Sequence, residues 1–392
     1  MQEVLIASAV RTPFGLYMGS LAGQRSQDLA AVSMKEAVNR AGIDSSQLEI
    51  AIYSEAKQTS LPANIGRHGW LLAGLSEDTA GFTMNTLCAG ALQTMISGFN
   101  KIIAGEYRGL LTGGIETNSQ APHYILNARS SFGGDSLNIK DSKKEIEINA
   151  QPVDLYGELS AFSLADIVAA NYGISRKTLD EYAALSKAKA AAAVKKELWK
   201  EGIAPVSKKV KKAEVMVDAD DAARAPEFAQ LMELAAVNAN GTATTGNVAP
   251  LADGSASIVM FSADRAKELG VKPIARMLGF GIAAGNPRLL EITTLKSIKN
   301  ALKATGKILD EIDFIDFHEP SAAYALAVLE QLEKAAEKAN ADGGSLGYGH
   351  AGAATGGAMV VNMLQRLQSG QTGLVNVGAL GGQSLSVVVE KL

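Results

Sequence analysis

Cys88-Ala89-Gly90-Ala91 and His350-Ala351-Gly352-Ala353-Ala354 are the stretches on which the fold is read. Each opens a helix of small residues that leads into a short strand and a pair of glycines. After Cys88 the helix is expected to reach about Ile103, followed by a strand from Gly109 that ends in Gly113-Gly114. After His350 it is expected to reach about Leu367, followed by a strand from Gly373 to Val377 and then Gly381-Gly382. The likeness lies in layout more than in letters. It predicts two related halves, each carrying one reactive side chain at the N-terminus of a helix.

Outward from these stretches the same alternation continues. Residues 4–9 read as a strand, Thr12-Pro13 as a turn, residues 26–41 as a helix and residues 50–54 as a second strand. Strands alternating with helices predict an α/β fold. A chain of 392 residues exceeds what one hydrophobic core supports, in keeping with two core-bearing units. The halves are expected at 1–119, with a strand and helix returning at about 251–268, and at 269–392. Residues 120–250 differ in composition. They hold the charge runs Lys143-Lys144-Glu145 and Lys208-Lys209-Val210-Lys211-Lys212, and an Ala/Lys-rich amphipathic helix over about 176–196. This stretch reads as an insertion decorating the first half. Its basic surface suits a phosphate-bearing ligand, although a solvated face is the commoner fate of any single lysine.

Composition excludes several classes of function. Hydrophobic residues make up 47% and aromatics 5%, as in a soluble α/β protein with close helix–strand packing. The net charge of −4 gives no reason to expect nucleic-acid binding, and the four histidines are scattered rather than grouped as metal ligands. A single cysteine excludes an intramolecular disulfide and a CxxC zinc site, and fits a reducing cytosol. No apolar run reaches membrane-span length. The opening MQEVLIASAVRTPFG has neither a basic leader segment nor a small-residue cleavage pattern, so the cytoplasm is the expected location.

Cys88 follows Met84-Asn85-Thr86-Leu87 at the point where an apolar segment gives way to a helix. The partial positive charge there lowers a thiol pKa, and free N–H groups can hold an oxyanion. A lone cysteine is as often an inert core residue. His350 lies in a run of glycines and alanines, Gly347 to Gly357, that lets a ligand approach closely and places a base at a helix mouth. His318, in Asp316-Phe317-His318-Glu319-Pro320, follows a strand and precedes a long helix expected over 321–338. The C-terminal end of a strand is the usual address of an α/β active site. His68 and His123 have no comparable setting. Thr112-Gly113-Gly114-Ile115-Glu116 is no P-loop, and no GxGxxG opens a helix. Glu116 reads as a structural acid that ties down the loop holding Cys88. One thiol and two histidines from Gly-rich turns point to covalent acyl transfer.

Six segments, in order, resemble the thiolase family over essentially the whole chain. They are Arg11-Thr12-Pro13-Phe14-Gly15, Asn85-Thr86-Leu87-Cys88, and Gly113-Gly114-Ile115-Glu116 running on to Ala121-Pro122-His123. The others are Gly241-Thr242-Ala243-Thr244-Thr245-Gly246-Asn247 with Asp253-Gly254-Ser255-Ala256, then His318-Glu319, and Gly349-His350. The resemblance implies a five-layered αβαβα sandwich of two similar halves, with a loop domain over the active site and assembly as homodimers or homotetramers. It implies acyl-CoA and CoA as substrates and products, with no resident cofactor or metal. Cys88 would carry the acyl group and its N–H would serve an oxyanion hole. His350 would activate Cys88, and His318 would hold a water or directly polarise the thioester oxygen. CoA would lie along Thr244, Asn247 and Ala249, with Arg224 reaching toward its phosphates.

One departure from the family pattern bears on mechanism. Thiolases carry a second cysteine near the C-terminus that moves protons at the attacking carbon and the leaving CoA. Here that position is Gly378, and Leu380, followed by Gly381, stands where a glycine N–H helps form an oxyanion hole. The turn Asn376-Val377-Gly378-Ala379-Leu380-Gly381-Gly382 is similar to that of ketoacyl synthases, which use one Cys and two His and form their carbanion by losing CO₂. Milder departures are Gly90-Ala91 in place of Ser-Gly and Ala351 in place of Pro. The leading expectation is an acyltransferase that forms or cleaves a β-ketoacyl-CoA through acyl-Cys88. The alternatives are a decarboxylative Cys-His-His condensing enzyme, and a non-catalytic CoA-binding subunit that works with a partner protein.

Overall fold

Strand residues in this chain alternate between two apolar environments, and that alternation builds the layers. The computed structural model describes residues 2–126, 128–129, 138–211, 213–223 and 228–392. Nine strands form the body of one sheet: β1 (Val4–Arg11), β2 (Ile50–Glu55), β3 (Ala80–Met84), β4 (Gly109–Thr117), β5 (Ala252–Ser262), β6 (Ala275–Ala284), β7 (Phe314–Phe317), β8 (Thr372–Ala379) and β9 (Gln383–Lys391). Their order is β7-β8-β9-β6-β1-β5-β4-β2-β3, and a tenth strand, Gly15–Leu16, pairs with β5. The two halves meet where β1 runs antiparallel to β6 over only Val4 to Ile6.

The helices that matter for the site are α1 (Ser26–Ala41), α2 (Gly90–Ile103), α3 (Ala161–Asn171), α4 (Arg176–Lys195), α5 (Leu290–Thr305), α6 (Ala322–Leu332) and α7 (Thr355–Arg366). On β5, Ile258 and Met260 point into the same core as Leu92 and Met95 of α2 and Met359 and Val360 of α7. Their neighbours Val259 and Phe261 point the other way, onto Leu29 and Met34 of α1. In the second half, Val375, Val387 and Val389 join the inner core, while Leu374 and Val388 face Ile298 and Ala301 of α5. This period of two gives the expected layers: α1 outside, one half-sheet, α2 and α7 between, the other half-sheet, and α5 outside.

The two stretches that opened the reading do echo each other. Leu87–Ala89 is a single 3₁₀ turn before α2, and Gly352–Ala354 is one before α7. Two expectations are corrected. β4 does not end at Gly113-Gly114 but runs to Thr117. The helix after His318 stops at Leu332 and continues as a 3₁₀ segment, Glu333–Lys338, because Glu333 takes a positive φ of 50° that no α-helix sustains.

The insertion is tied back to the sheet through buried charge. Arg11 of β1 forms a two-pronged pair with Asp220 at 2.7 and 2.8 Å and donates to Asn362 of α7 at 2.7 Å. Phe14 and Trp199 flank its guanidinium, at 5.6 and 5.7 Å. The Arg-Thr-Pro opening motif therefore joins the layers rather than meeting a substrate. Glu319, beside His318, does the same on the other side. Its carboxylate accepts from Tyr182 (2.6 Å) and Ser186 (2.7 Å) of α4 and from Asn340 (2.9 Å).

Candidate active site

Leu87 holds a positive φ of 52°, a strained value for a branched side chain, and this swings Cys88 out at the head of α2. The strain is held by Asn85, whose Oδ1 accepts the Leu87 N–H at 2.9 Å while its amide donates to the Ala56 carbonyl at 3.0 Å. From the other half, His350 reaches across so that its Nε2 lies 3.1 Å from Cys88 Sγ. Its Nδ1 lies 2.8 Å from Thr355 Oγ1. With the Nδ1 proton donated to Thr355, Nε2 offers a lone pair to the thiol.

His318 completes the group. Its ring lies 4.3 Å from that of His350, centroid to centroid. Its Nδ1 faces the Gly378 carbonyl at 3.4 Å, and Nε2 has no hydrogen-bond partner. A carbonyl oxygen can only accept, so Nδ1 carries the proton and Nε2 presents a lone pair. Burial lowers His318 to about 4. Burial, with His318 and Lys57 beside it, also holds His350 well below the ordinary imidazole value. Both rings are neutral at neutral pH.

The nucleophile differs from expectation. Burial pushes the Cys88 thiol up to about 11, against the pull of the Lys57 cation and the Leu380 N–H. Enclosure outweighs both of these. The resting pair is a thiol beside a neutral imidazole rather than a preformed thiolate. Leu380 does place a backbone N–H at the sulfur, and Gly381 turns the chain away with φ 81°.

Glu116 works as a tie, in a wider sense than expected. Its carboxylate accepts from Ala56 N (3.2 Å), Lys57 N (3.1 Å) and Ala353 N (3.2 Å). It thus joins the loop that braces Asn85 to the turn that carries His350. The absent side chain at Gly90 has a reason too. A Cβ there would lie 2.1 Å from the Ser54 hydroxyl, which already fills the space and donates to the Met84 carbonyl.

Cys88, His318, His350, Gly378 and Leu380 share one cavity of about 460 Å³. Its walls are largely apolar, with Leu87, Phe162, Val248 and Leu290 among them. Ala249 lines it, but Thr244 and Asn247 do not; their neighbours Thr245 and Val248 take those places. Asn247 is buried and spent on structure, bonding Thr244 N at 2.8 Å and Asp180 of α4 at 2.8 Å. Arg224 lies outside the described residues. The cations on the lining are instead Lys57, Lys143 and Arg288. Sequence reading had marked Lys143 only as part of a charge run and Asn85 only as part of the nucleophile loop; it passed over Lys57, Arg288, Thr355 and Tyr324. Thr355 stood in the quoted glycine run, and Tyr324 sits in the first turn of α6, shortly after His318, with its N–H capped by Ser321 at 3.2 Å. Among the described residues no cluster of His, Cys, Asp or Glu is arranged to hold a metal, and no helix is long and apolar enough to cross a membrane.

Comparison with known proteins agrees over the full length. Residues 4–264 match the thiolase N-terminal domain and residues 271–391 the thiolase C-terminal domain. A probable acetyl-CoA acyltransferase of Staphylococcus aureus (strain COL) is 31% identical, with all of both chains covered. A beta-ketoadipyl-CoA thiolase of Pseudomonas putida is 33% identical, again over all of both. Among solved structures, the Bacillus anthracis acetyl-CoA acetyltransferase superposes with a TM-score of 0.95 at 28% identity, covering 100% of this chain and 99% of that one. Human mitochondrial 3-ketoacyl-CoA thiolase gives 0.93 at 26%, with the same coverage. A thiol and an imidazole brought into contact from two echoing halves, and relatives alike from end to end, make this chain a member of the thiolase family and an acyltransferase.

Proposed function

We propose that the protein forms or cleaves a β-ketoacyl-CoA through an acyl-Cys88 intermediate. The observation that carries this reading is the 3.1 Å contact between His350 Nε2 and Cys88 Sγ inside an apolar cavity. His350 takes the thiol proton as sulfur attacks the carbonyl. Because the resting thiol is neutral, this transfer accompanies attack rather than preceding it. The Cys88 and Leu380 N–H groups receive the charge that develops on oxygen. His318 acts through a water, which can donate one hydrogen to its Nε2 and the other to the thioester oxygen. Lys143 and Arg288, the more exposed cations on the cavity lining, are assigned to the phosphates of CoA. CoA is substrate and product, with no resident cofactor. Assembly as a homodimer or homotetramer, a cytoplasmic location and a place in fatty-acid metabolism belong to the same reading.

Incubation with acetoacetyl-CoA followed by intact mass measurement tests it. An acyl mass gain on Cys88 is expected, absent in Cys88→Ala. No gain, or an equal gain in the variant, overturns the reading. The bare Gly378 and the adjacent imidazoles also favour a second reading, decarboxylative condensation. Cys88-dependent CO₂ release from a malonyl-type thioester would single it out.

A further inference from the structure

Loading Cys88 is half of the reaction. Making or breaking the carbon–carbon bond also needs a group that carries a proton to or from the α-carbon, and His350 is already committed to the sulfur. The cavity offers few others. Lys57 is turned toward Glu116, 3.8 Å away. Lys143 is hydrogen-bonded to Tyr17 at 2.5 Å. Glu147 accepts the Ala161 N–H at 3.0 Å. His318, lowered to about 4, is a weak acceptor for a carbon-bound proton.

Tyr324 remains. It is 3% exposed and lines the cavity with Cys88, His318 and Gly378. A Cβ added to Gly378 would lie 2.7 Å from the Tyr324 hydroxyl oxygen, so the phenol fills the space that a side chain at 378 would enter. The hydroxyl is fixed from behind by Thr294, which bonds Ser384 Oγ at 3.1 Å. Ser384 in turn accepts from the Asn376 amide at 2.9 Å. The ring packs on Phe317, 6.5 Å between centroids. A small residue at 378 and a large polar one at 324 are thus one arrangement.

Resting on the acyl-Cys88 reading, we propose that Tyr324 is the catalytic acid and base for the carbon–carbon step, its hydroxyl standing in the space left by Gly378. In the cleaving direction, the C2–C3 bond of the Cys88 adduct breaks and its electron pair goes to C2 of the departing acetyl-CoA. The Tyr324 O–H gives C2 its proton and becomes phenolate. An incoming CoA thiol returns a proton to the phenolate, and its sulfur attacks the acyl-Cys88 carbonyl. Cys88 leaves as thiolate and recovers its proton from His350. Condensation is the reverse. Burial pushes the phenol up from its ordinary value, so Tyr324 rests protonated, and its phenolate is a strong enough base to take the thiol proton of CoA.

The test separates loading from proton transfer at carbon. Wild type is given acetyl-CoA in D₂O, with Cys88 acylation read by intact mass. Loading of wild type and Tyr324→Phe is then compared with an acetyl aryl thioester, whose thiolate leaves without needing the Tyr324 proton, and C2 deuterium uptake is read for both on recovered acetyl-CoA. Tyr324→Phe is expected to load Cys88 like wild type while exchange falls ~10²–10⁴-fold, the usual worth of general acid–base help. Adding Gly378→Cys to Tyr324→Phe, which puts a thiol where the hydroxyl stood, is expected to restore part of the exchange. Exchange within about threefold of wild type in Tyr324→Phe, loss of loading in that variant, or loading without exchange in wild type each overturns the assignment. Failure of wild type to load overturns the underlying reading instead.

Discussion

Glu116→Gln is the most informative single change outside the reacting groups. The buried carboxylate of Glu116 accepts three backbone N–H groups at 3.1–3.2 Å, two from residues 56–57 and one from Ala353. Glutamine keeps the size and one oxygen, but its NH₂ then confronts an N–H donor. Hydrogen bonds to a charged acceptor are worth about 1.5–3 kcal/mol each, and the length of these places them at the low end. Losing one or two of them, while leaving a buried N–H unpaired, amounts to roughly 2–4 kcal/mol of unfolding free energy. Because the bonds join the loop bracing Asn85 to the turn carrying His350, the 3.1 Å Cys88–His350 contact loosens as well. Misplacement of about 1 Å costs up to ~10²-fold in rate, so acyl loading of Cys88 is expected to slow ~10–10²-fold. Urea unfolding gives the stability and quenched-flow mass measurement gives the loading rate. A Glu116→Gln protein within about 0.5 kcal/mol of wild type, loading at the wild-type rate, would refute the tie. Loss of an ionisation from the pH–rate profile would instead make Glu116 a participant in proton transfer.

Three further outcomes are expected. Gly90→Ser, which drives a side chain onto the Ser54 hydroxyl 2.1 Å from the new Cβ, should destabilise by about 1–3 kcal/mol, and Ser54→Ala should recover only part of it in a denaturation cycle, because the Ser54 Cβ, 2.7 Å from the new atom, remains. Asp220→Ala strands the buried Arg11 guanidinium and should cost about 3–5 kcal/mol in urea unfolding; a loss under about 1 kcal/mol would mean Arg11 is not held as described. His318 has a folded pKa of about 4 against an ordinary 6.5, so the unfolded chain binds the extra proton between those values. Stability should therefore fall as pH drops from 6.5 toward 4, by on the order of 3 kcal/mol from this residue. His318→Asn should remove that share of the slope and leave the share due to His350, which is lowered as well; an unchanged slope in the variant would show the His318 ring to be solvated.

Much of this site was legible because its chemistry is local in sequence. Cys88 and His350 each sit where small residues open a helix, and only a layered fold brings two such helix mouths together. What stayed hidden depends on contacts between distant segments. Thr244 and Asn247 lie in a matching motif, yet Asn247 is consumed by Asp180, 67 positions away, and cannot face a ligand. Glu319 follows His318 directly but is spent on α4. The burial that raises the thiol was hidden for the same reason: a helix terminus is visible in sequence, whereas the enclosure around Cys88 is the sum of both halves. Tyr324 was missed because its significance lies in the atom that Gly378 lacks.

The shortness of the β1–β6 seam leaves the site to be held by packing between the halves. Nucleophile and base are 262 residues apart in the chain, and the half-sheets that carry them share only three paired residues on each strand. During synthesis Cys88 leaves the ribosome long before its base exists, so the nascent chain holds a quiet thiol. In the finished protein the seam is not what joins them: the His350 N–H donates to the Pro250 carbonyl at 2.8 Å, its carbonyl accepts from the Ala252 N–H at 2.9 Å, and α7 packs in one core with α2 and β5. Sulfur and imidazole therefore part only when that shared core opens, and activity and circular dichroism are expected to be lost together on denaturation.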